Sequence, residues 1–398
     1  MLNNQKVKVV EVYSDSALTA GTKMKAELST VDANPNGRYN VVVGIMIEAD
    51  YTADETGTGP TCTVEALVGV IASLSLKAGK LTRFNSYPGI DLYRRLIQMD
   101  NIVDPDSLGH IVPVADLAGG AGDTAVTLHM LVPLAHKWFQ DPDDPGAFDG
   151  AILASELKKR GSLEVALNSS YALATTDASN KWAVSSSGVT GRITLLCVEV
   201  DSIPEMLAVE EYSDDTSQST YVVPGPQGKQ RRCTGLVVAD DGTGALTLPT
   251  AFSVFADGLA IITGGVGDDY VELATILGND GINDIAPAAL PLITTKRRRN
   301  ADQPLYSKDL TLHNVGAQHS GDYRVISRVA WSHDRREMVE ILQRAEVPAA
   351  VIERYLAEKY AEANDTGVAS VGNVPAEFVD FRSAELAGTS PIVIKAAQ

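Results

Sequence analysis

Along most of this chain apolar residues recur with the two-residue period of half-buried strands, and only near the C-terminus with the longer period of helices. Val7-Lys8-Val9-Val10-Glu11-Val12-Tyr13, Lys23 to Leu28 and Tyr39 to Ala49 all read as strands. Turn chemistry separates them: Asn34-Pro35-Asn36-Gly37, whose Asn-Gly step suits positive φ, and the Gly/Thr-rich loop from Thr52 to Pro60. Thr61 to Leu76 reads as a further long strand pattern. Pro88-Gly89 opens Ile90 to Met99, which fits a helical turn passing into a strand, and Asn101 to Asp123 reads as a linker.

The most informative stretch is Ala125 to Leu167. Val126-Thr127-Leu128-His129-Met130-Leu131-Val132 is a strand that stops at Pro133, which has no N–H to extend a central ladder. Asp141-Pro142-Asp143-Asp144-Pro145-Gly146 is a loop by turn chemistry, Ile152 to Arg160 a short helix ended by Gly161, and Ser162 to Leu167 a strand. Strands continue through Trp182-Ala183-Val184 and Arg192 to Val200, so a first all-β domain of about eight strands closes near Ile203-Pro204. A second domain repeats the grammar through Tyr221 to Pro224, Thr234 to Ala239, Ala251 to Phe255, Leu259 to Ile262, Leu305 to Leu312 and Tyr323 to Trp331. From Arg335 the period turns helical. Met338, Ile341, Leu342 and Ala345 line one helix; Pro348 opens a second, with Val351, Ile352, Tyr355, Leu356 and Tyr360 on one face. The tail after Asp365 holds one late apolar run, Ile392-Val393-Ile394. The expected division is 1–203, 204–334 and 335–398, the last comprising the helices and an extended arm.

Length and composition agree with two folded units: 398 residues, 44% hydrophobic and 21% charged. The net charge of −18 disfavours a free-standing nucleic-acid binder, which needs a concentrated basic face. Cys62, Cys197 and Cys233 lie far apart with no CxxC pair and read as buried thiols. The first residues lack the apolar core of a signal peptide and no run approaches a membrane span, so synthesis and folding in a cytoplasm are expected.

Candidate chemistry is thin. Gly264 to Glu272 fits one calcium-binding nonapeptide but does not repeat, and its Gly-Asp-Asp triplet reads better as part of a Gly-rich hairpin. Asp141 to Gly146 begins like an EF-hand loop, yet Pro145 replaces a ligand and the twelfth position is Ile152; an acidic surface turn is the better account. His110, His129, His136, His313, His319 and His333 form no HExxH motif. The sequence carries no phosphate-binding loop, nucleophile elbow or dinucleotide fingerprint. Lys296-Arg297-Arg298-Arg299 and Lys229-Gln230-Arg231-Arg232 read as solvated loops or contacts to an acidic neighbouring subunit. No catalytic residue, cofactor or metal site is expected.

The order of elements resembles the double jelly-roll major capsid proteins of tailless, internal-membrane bacteriophages of the tectivirus type, a lineage that includes adenovirus hexon. Asp91-Leu92-Tyr93-Arg94-Arg95-Leu96-Ile97 carries the resemblance, together with the corner Leu128-His129-Met130-Leu131-Val132-Pro133-Leu134-Ala135. Leu157-Lys158-Lys159, Leu163 to Leu167, Ile193 to Ile203 and Tyr323 to Trp331 follow in the same order. The resemblance implies two tandem eight-stranded jelly-roll sandwiches in an all-β fold with minor helices. It also implies a homotrimer of pseudo-hexagonal outline, and an icosahedral shell over a membrane with vertex proteins as partners and no enzymatic step. Members of this type can carry an N-terminal helical arm, whereas this chain enters a strand almost at once, so the helical hairpin and tail are the candidates to replace it. The alternatives are a tandem jelly-roll protein that binds or hydrolyses glycans, against which the scattered Trp138, Trp182 and Trp331 speak, and a minor coat or spike protein.

Overall fold

The computed structural model describes residues 6–18, 21–34, 37–96, 111–112, 116–140, 142–143, 146–168, 172–177, 179–185, 188–218, 220–225, 231–240, 253–256, 259–262, 290–293, 305–306, 310–313 and 323–360. In chain order the strands of the first half are β1 (Lys6–Leu18), β2 (Lys23–Lys25), β3 (Tyr39–Thr56), β4 (Ile71–Ala78), β5 (Leu81–Tyr87), β6 (Ile111–Val112), β7 (Thr124–Pro133), β8 (Ile152–Leu153), β9 (Gly161–Leu167), β10 (Ala172–Asp177), β11 (Asn180–Val184) and β12 (Val189–Val200). Those of the second are β13 (Ala208–Thr216), β14 (Thr220–Val222), β15 (Arg231–Asp240), β16 (Ser253–Ala256), β17 (Leu259–Ile262), β18 (Leu290–Ile293), β19 (Leu305–Tyr306), β20 (Leu310–His313) and β21 (Tyr323–Trp331). The helices are α1 (Val64–Val68), α2 (Gly89–Arg94), α3 (His136–Gln140), α4 (Ala154–Arg160), α5 (Arg335–Arg344) and α6 (Ala349–Tyr360).

One winding occurs twice. The first half places β1-β12-β3-β7 in one sheet and β2-β9-β4-β5 in another; the second places β13-β21-β15-β18 in one and β14-β20-β16-β17 in another. Leaving aside the accessory strands β6, β8, β10, β11 and β19, the first strand of each half lies beside its last and the second beside its next-to-last, which is jelly-roll winding. The halves are joined strand to strand: β5 pairs in parallel with β13, so one nine-stranded sheet crosses from the first half to the second.

The main core lies between the two sheets of the first half, and β3 shows how the sequence builds it. Its C-terminal part turns Ile45, Ile47, Ala49, Tyr51 and Ala53 inward. Gly44 faces Leu196 and Val42 faces Cys197, so Val43 is an extra residue, a bulge that reverses the phase of the alternation. Beyond it Val41 and Val43 point to the outer face, where they join Val198, Ala135, Phe148 and Leu153 in a second apolar cluster. Helices α5 and α6 and the turn between them close that cluster with Met338, Leu342, Ala345, Val347, Ile352 and Leu356. The hairpin foreseen from the 3.6-residue period is therefore present and packs on its own chain. Asp334 caps it by accepting from Glu337 N at 2.8 Å, and the Glu337 carboxylate reciprocates. Lys159 donates to Arg344 O at 2.6 Å, Asn34 donates to Ala345 O at 2.8 Å, and Arg344 pairs with Glu156.

Several local expectations change. Thr61 to Leu76 is not one strand: Thr63 Oγ1 accepts from Ala66 N at 3.2 Å and starts α1 before β4 begins. Ile152 and Leu153, read as helix, pair with Val42 and Val41 as a short strand because both faces of β3 are covered there. Gly89–Arg94 is helical, and residues 97–99 lie outside the described residues. Strands β13 and β18 were not foreseen: the first carries four carboxylates and the second a proline, both atypical of strands. The Gly264 to Glu272 stretch, Lys296 to Arg299 and the tail after Tyr360 lie outside the described residues.

Candidate functional site

The joint between the halves is built around Glu211, the fourth residue of β13. Its side chain is buried among three guanidiniums: Arg83 from β5, Arg95 just past α2, and Arg328 from β21, all 0–1% exposed. Arg83 Nη2 lies 2.7 Å and Arg328 Nε 2.9 Å from Glu211 Oε1, and Arg95 Nε donates to Oε2. The strand registers bring these groups together. Glu211 faces Phe84 on one side and Arg328 on the other, so the carboxylate sits where β5, β13 and β21 run side by side. The Phe84 ring lies 5.1 Å from the Arg83 guanidinium carbon and 5.8 Å from that of Arg95, and Tyr87 packs edge-on against it at 5.4 Å.

The arginines are anchored a second time. Arg83 Nη2 donates to Leu134 O at 3.1 Å and Arg95 Nη2 to Pro133 O at 2.6 Å. Pro133 ends β7 and leaves these carbonyls facing inward, so the corner after β7 turns into an acceptor site for β5 and α2. The turn before β8 is bound to the residue that precedes β13: Leu207 N donates to Asp149 Oδ1 and Gly150 N to Leu207 O, both at 3.1 Å. Gly150 is required there: its φ is +83°, and a Cβ would stand 2.5 Å from Leu134 O.

A second network flanks the first. Asp91, buried on α2, accepts from Arg94 Nη1 and Arg324 Nη1 at 3.0 Å each and from Ser213 Oγ at 2.5 Å. Arg324 turns its other face to Asp215 in a bidentate pair of 2.6 and 2.8 Å. Arg94 Nε reaches Glu65 at 2.6 Å.

Burial alone would push the Glu211 carboxyl upward; the charges of Arg328, Arg95 and Arg83 outweigh it and hold the group down at about 2. Burial pushes the Tyr87 hydroxyl well above its ordinary value. A carboxylate held ionised, enclosed and saturated with cations is not poised for proton transfer. What the arrangement does is fix one half of the chain on the other.

The segments singled out in the sequence converge here. Asp91 to Ile97 supplies Asp91, Arg94 and Arg95, the corner supplies the carbonyls of Pro133 and Leu134, and Tyr323 to Trp331 supplies Arg324 and Arg328. Sequence reasoning missed Arg83, Glu211, Ser213 and Asp215. The available signal was the charged Arg83 directly before Phe84 within a strand pattern, and the unusually acidic strand that follows Leu207.

The other candidates stay apart. His129 Nε2 lies 3.9 Å from Glu48 and 4.0 Å from Asp50 on the exposed sheet face, where Arg192 also pairs with Glu48; His333 sits 3.7 Å from Glu337 at the start of α5. No group of His, Cys, Asp and Glu among the described residues is arranged to hold a metal. Of the Asp141 to Gly146 loop only residues 142, 143 and 146 are described. Cys62 and Cys197 are free buried thiols, as expected, and burial pushes both up to about 12. Trp182 lies in the main core, Trp138 packs against the outer cluster and Trp331 is buried on β21. Among the described residues no helix is long and apolar enough to cross a membrane.

The atomic structure of Sulfolobus Turreted Icosahedral Virus contains a chain that superposes on this one with a TM-score of 0.51 at 12% identity, covering 89% of this chain and 98% of that one. The fold is a double jelly roll. The crystal structure of the STIV MCP gives 0.49 at 11% identity over 82% and 97% of the two chains. That of the major capsid protein from bacteriophage PM2 gives 0.42 at 10% over 83% and 100%. No family model matches the chain and no curated protein does. The expected fold class, two tandem jelly rolls with a C-terminal helical hairpin, is borne out, and the resemblance to double jelly-roll major capsid proteins holds at the level of fold.

Proposed function

We propose that this chain is the major coat subunit of a virus. Three copies form a pseudo-hexagonal capsomer, and capsomers tile an icosahedral shell over an internal membrane. The observation that carries the reading is the duplicated winding held in fixed relation by the Glu211 joint. Each chain thereby offers two like wedges, and three chains offer six. The likeness over 89% of the chain to a structure from an icosahedral virus supports the same reading. The units are residues 1–203, 204–334 and 335–398. The subunit acts by geometry, without catalysis. Its partners are further copies of itself, vertex or penton proteins and the lipid of the internal membrane, and its acidity disfavours sequence-specific binding of nucleic acid. It is synthesised in the host cytoplasm and resides in the virion shell.

Native mass spectrometry and negative-stain imaging of the purified full chain test the proposal. The expected particle has roughly three times the 42.2 kDa chain mass and a hexagonal outline. A chain that stays monomeric at high concentration overturns it.

A further inference from the structure

The joint inside the chain uses the fifth strand of one jelly roll and the first strand of the next: β5 pairs in parallel with β13. Such a joint is heterologous, since its two sides are different edges, and it therefore leaves one copy of each edge unused. The unused equivalents are β1, the first strand of the first half, and β17, the fifth strand of the second. Among the described residues both end their sheets, since β1 pairs only with β12 and β17 only with β16. Moreover, Val7 and Val9 of β1 are 48% and 64% exposed, two of the three large apolar side chains that the described surface leaves open. Long open edges with apolar side chains are what monomeric proteins avoid.

From this we infer that β1 of one copy receives β17 of a neighbouring copy in parallel pairing, repeating between chains the joint that β5 and β13 make within one. The inference rests on the proposed trimer and specifies which edges meet. Joints within and between chains then alternate around a ring of six halves, which closes after three chains at roughly 60° per joint. The two kinds of joint differ in chemistry. Inside the chain the strands meet over an ionic cluster; between chains Val7 and Val9 meet a strand whose sequence is Leu259-Ala260-Ile261-Ile262.

The test uses the full chain carrying Val7→Asp with Val9→Asp, both at exposed positions, and separately Val9→Cys with Ala260→Cys under mild oxidation. The expected results are dissociation of the trimer to monomers that keep the far-UV circular dichroism of the folded chain, and cross-links that join chains up to a closed trimer. A trimer that survives the aspartates, or cysteines that do not link between chains, overturns the β1–β17 joint while leaving the trimer itself standing. Dimers from Val9→Cys alone overturn it too, because they place β1 against β1. A monomeric unsubstituted chain removes both the joint and the proposed function. Should the aspartate variant fail to fold, the cysteine pair still decides.

Discussion

Replacing Glu211 by glutamine keeps the side-chain shape and removes the carboxylate that the Arg83, Arg95 and Arg328 guanidiniums share. Two routes give the magnitude. Each pKa unit is about 1.4 kcal/mol, so holding the group at about 2 rather than at its ordinary 4.5 corresponds to stabilisation on the order of 3 kcal/mol. Removing one partner from a buried ionic cluster typically costs about 3–5 kcal/mol, because the remaining charges stay desolvated. The folded-state value lies below the unfolded one, so the contribution is complete above about pH 4.5 and drains away as the pH falls through about 2. Glutamine does not titrate. The gap between the two proteins is therefore about 3 kcal/mol near neutrality and narrows steadily below pH 4.5. Urea unfolding followed by tryptophan fluorescence at pH 7, 5, 4 and 3 reads this out, with Trp331 on β21 next to the joint as the reporter. Equal stability at pH 7, or a gap that does not change with pH, would refute the electrostatic account of the joint.

Other perturbations have equally definite outcomes. Gly89→Ala places a Cβ 2.6 Å from Ile71 O and 2.8 Å from Val68 O, backbone atoms that cannot swing aside, so a loss of about 2 kcal/mol or more is expected in the melting curve. Leu342→Ala empties part of the outer cluster and should cost about 2–5 kcal/mol, read by denaturant melts. Asp334→Ala removes the cap of α5 at about 1 kcal/mol and should speed amide exchange in α5 more than in β3. At pH 8 the Cys62 and Cys197 thiols, both pushed up to about 12, should resist alkylation in the native chain and react on unfolding, as peptide mass mapping would report.

The tandem β organisation was legible because most core strands alternate cleanly. β9 buries Leu163, Val165 and Leu167 in turn, and the helical hairpin announces itself by the change of period at Arg335. What escaped depends on partners distant in sequence. β13 carries Glu210, Glu211, Asp214 and Asp215 and looks like a solvated segment until Arg328 and Arg324, facing Glu211 and Asp215 across the strand pair, neutralise it. Val64 to Val68 has strand-like residues and is helical because Thr63 caps it and Asp116 Oδ1 accepts from Val64 N at 2.8 Å. The Pro133 corner was recognised as a landmark, but no local pattern shows that its carbonyls accept from arginines more than thirty-five residues upstream.

The hairpin on the outer face of β3 also sets a timetable. Val41, Val43 and Val198 belong to strands made early, whereas Met338, Leu342, Ile352 and Leu356, which cover them, leave the ribosome more than a hundred residues after β12. The first jelly roll can close its inner core while translation continues, but its outer apolar strip stays bare until the second has been synthesised. Completion of the first half thus depends on completion of the whole chain: a product truncated before Arg335 leaves the outer cluster uncovered and exposes an aggregation-prone apolar surface.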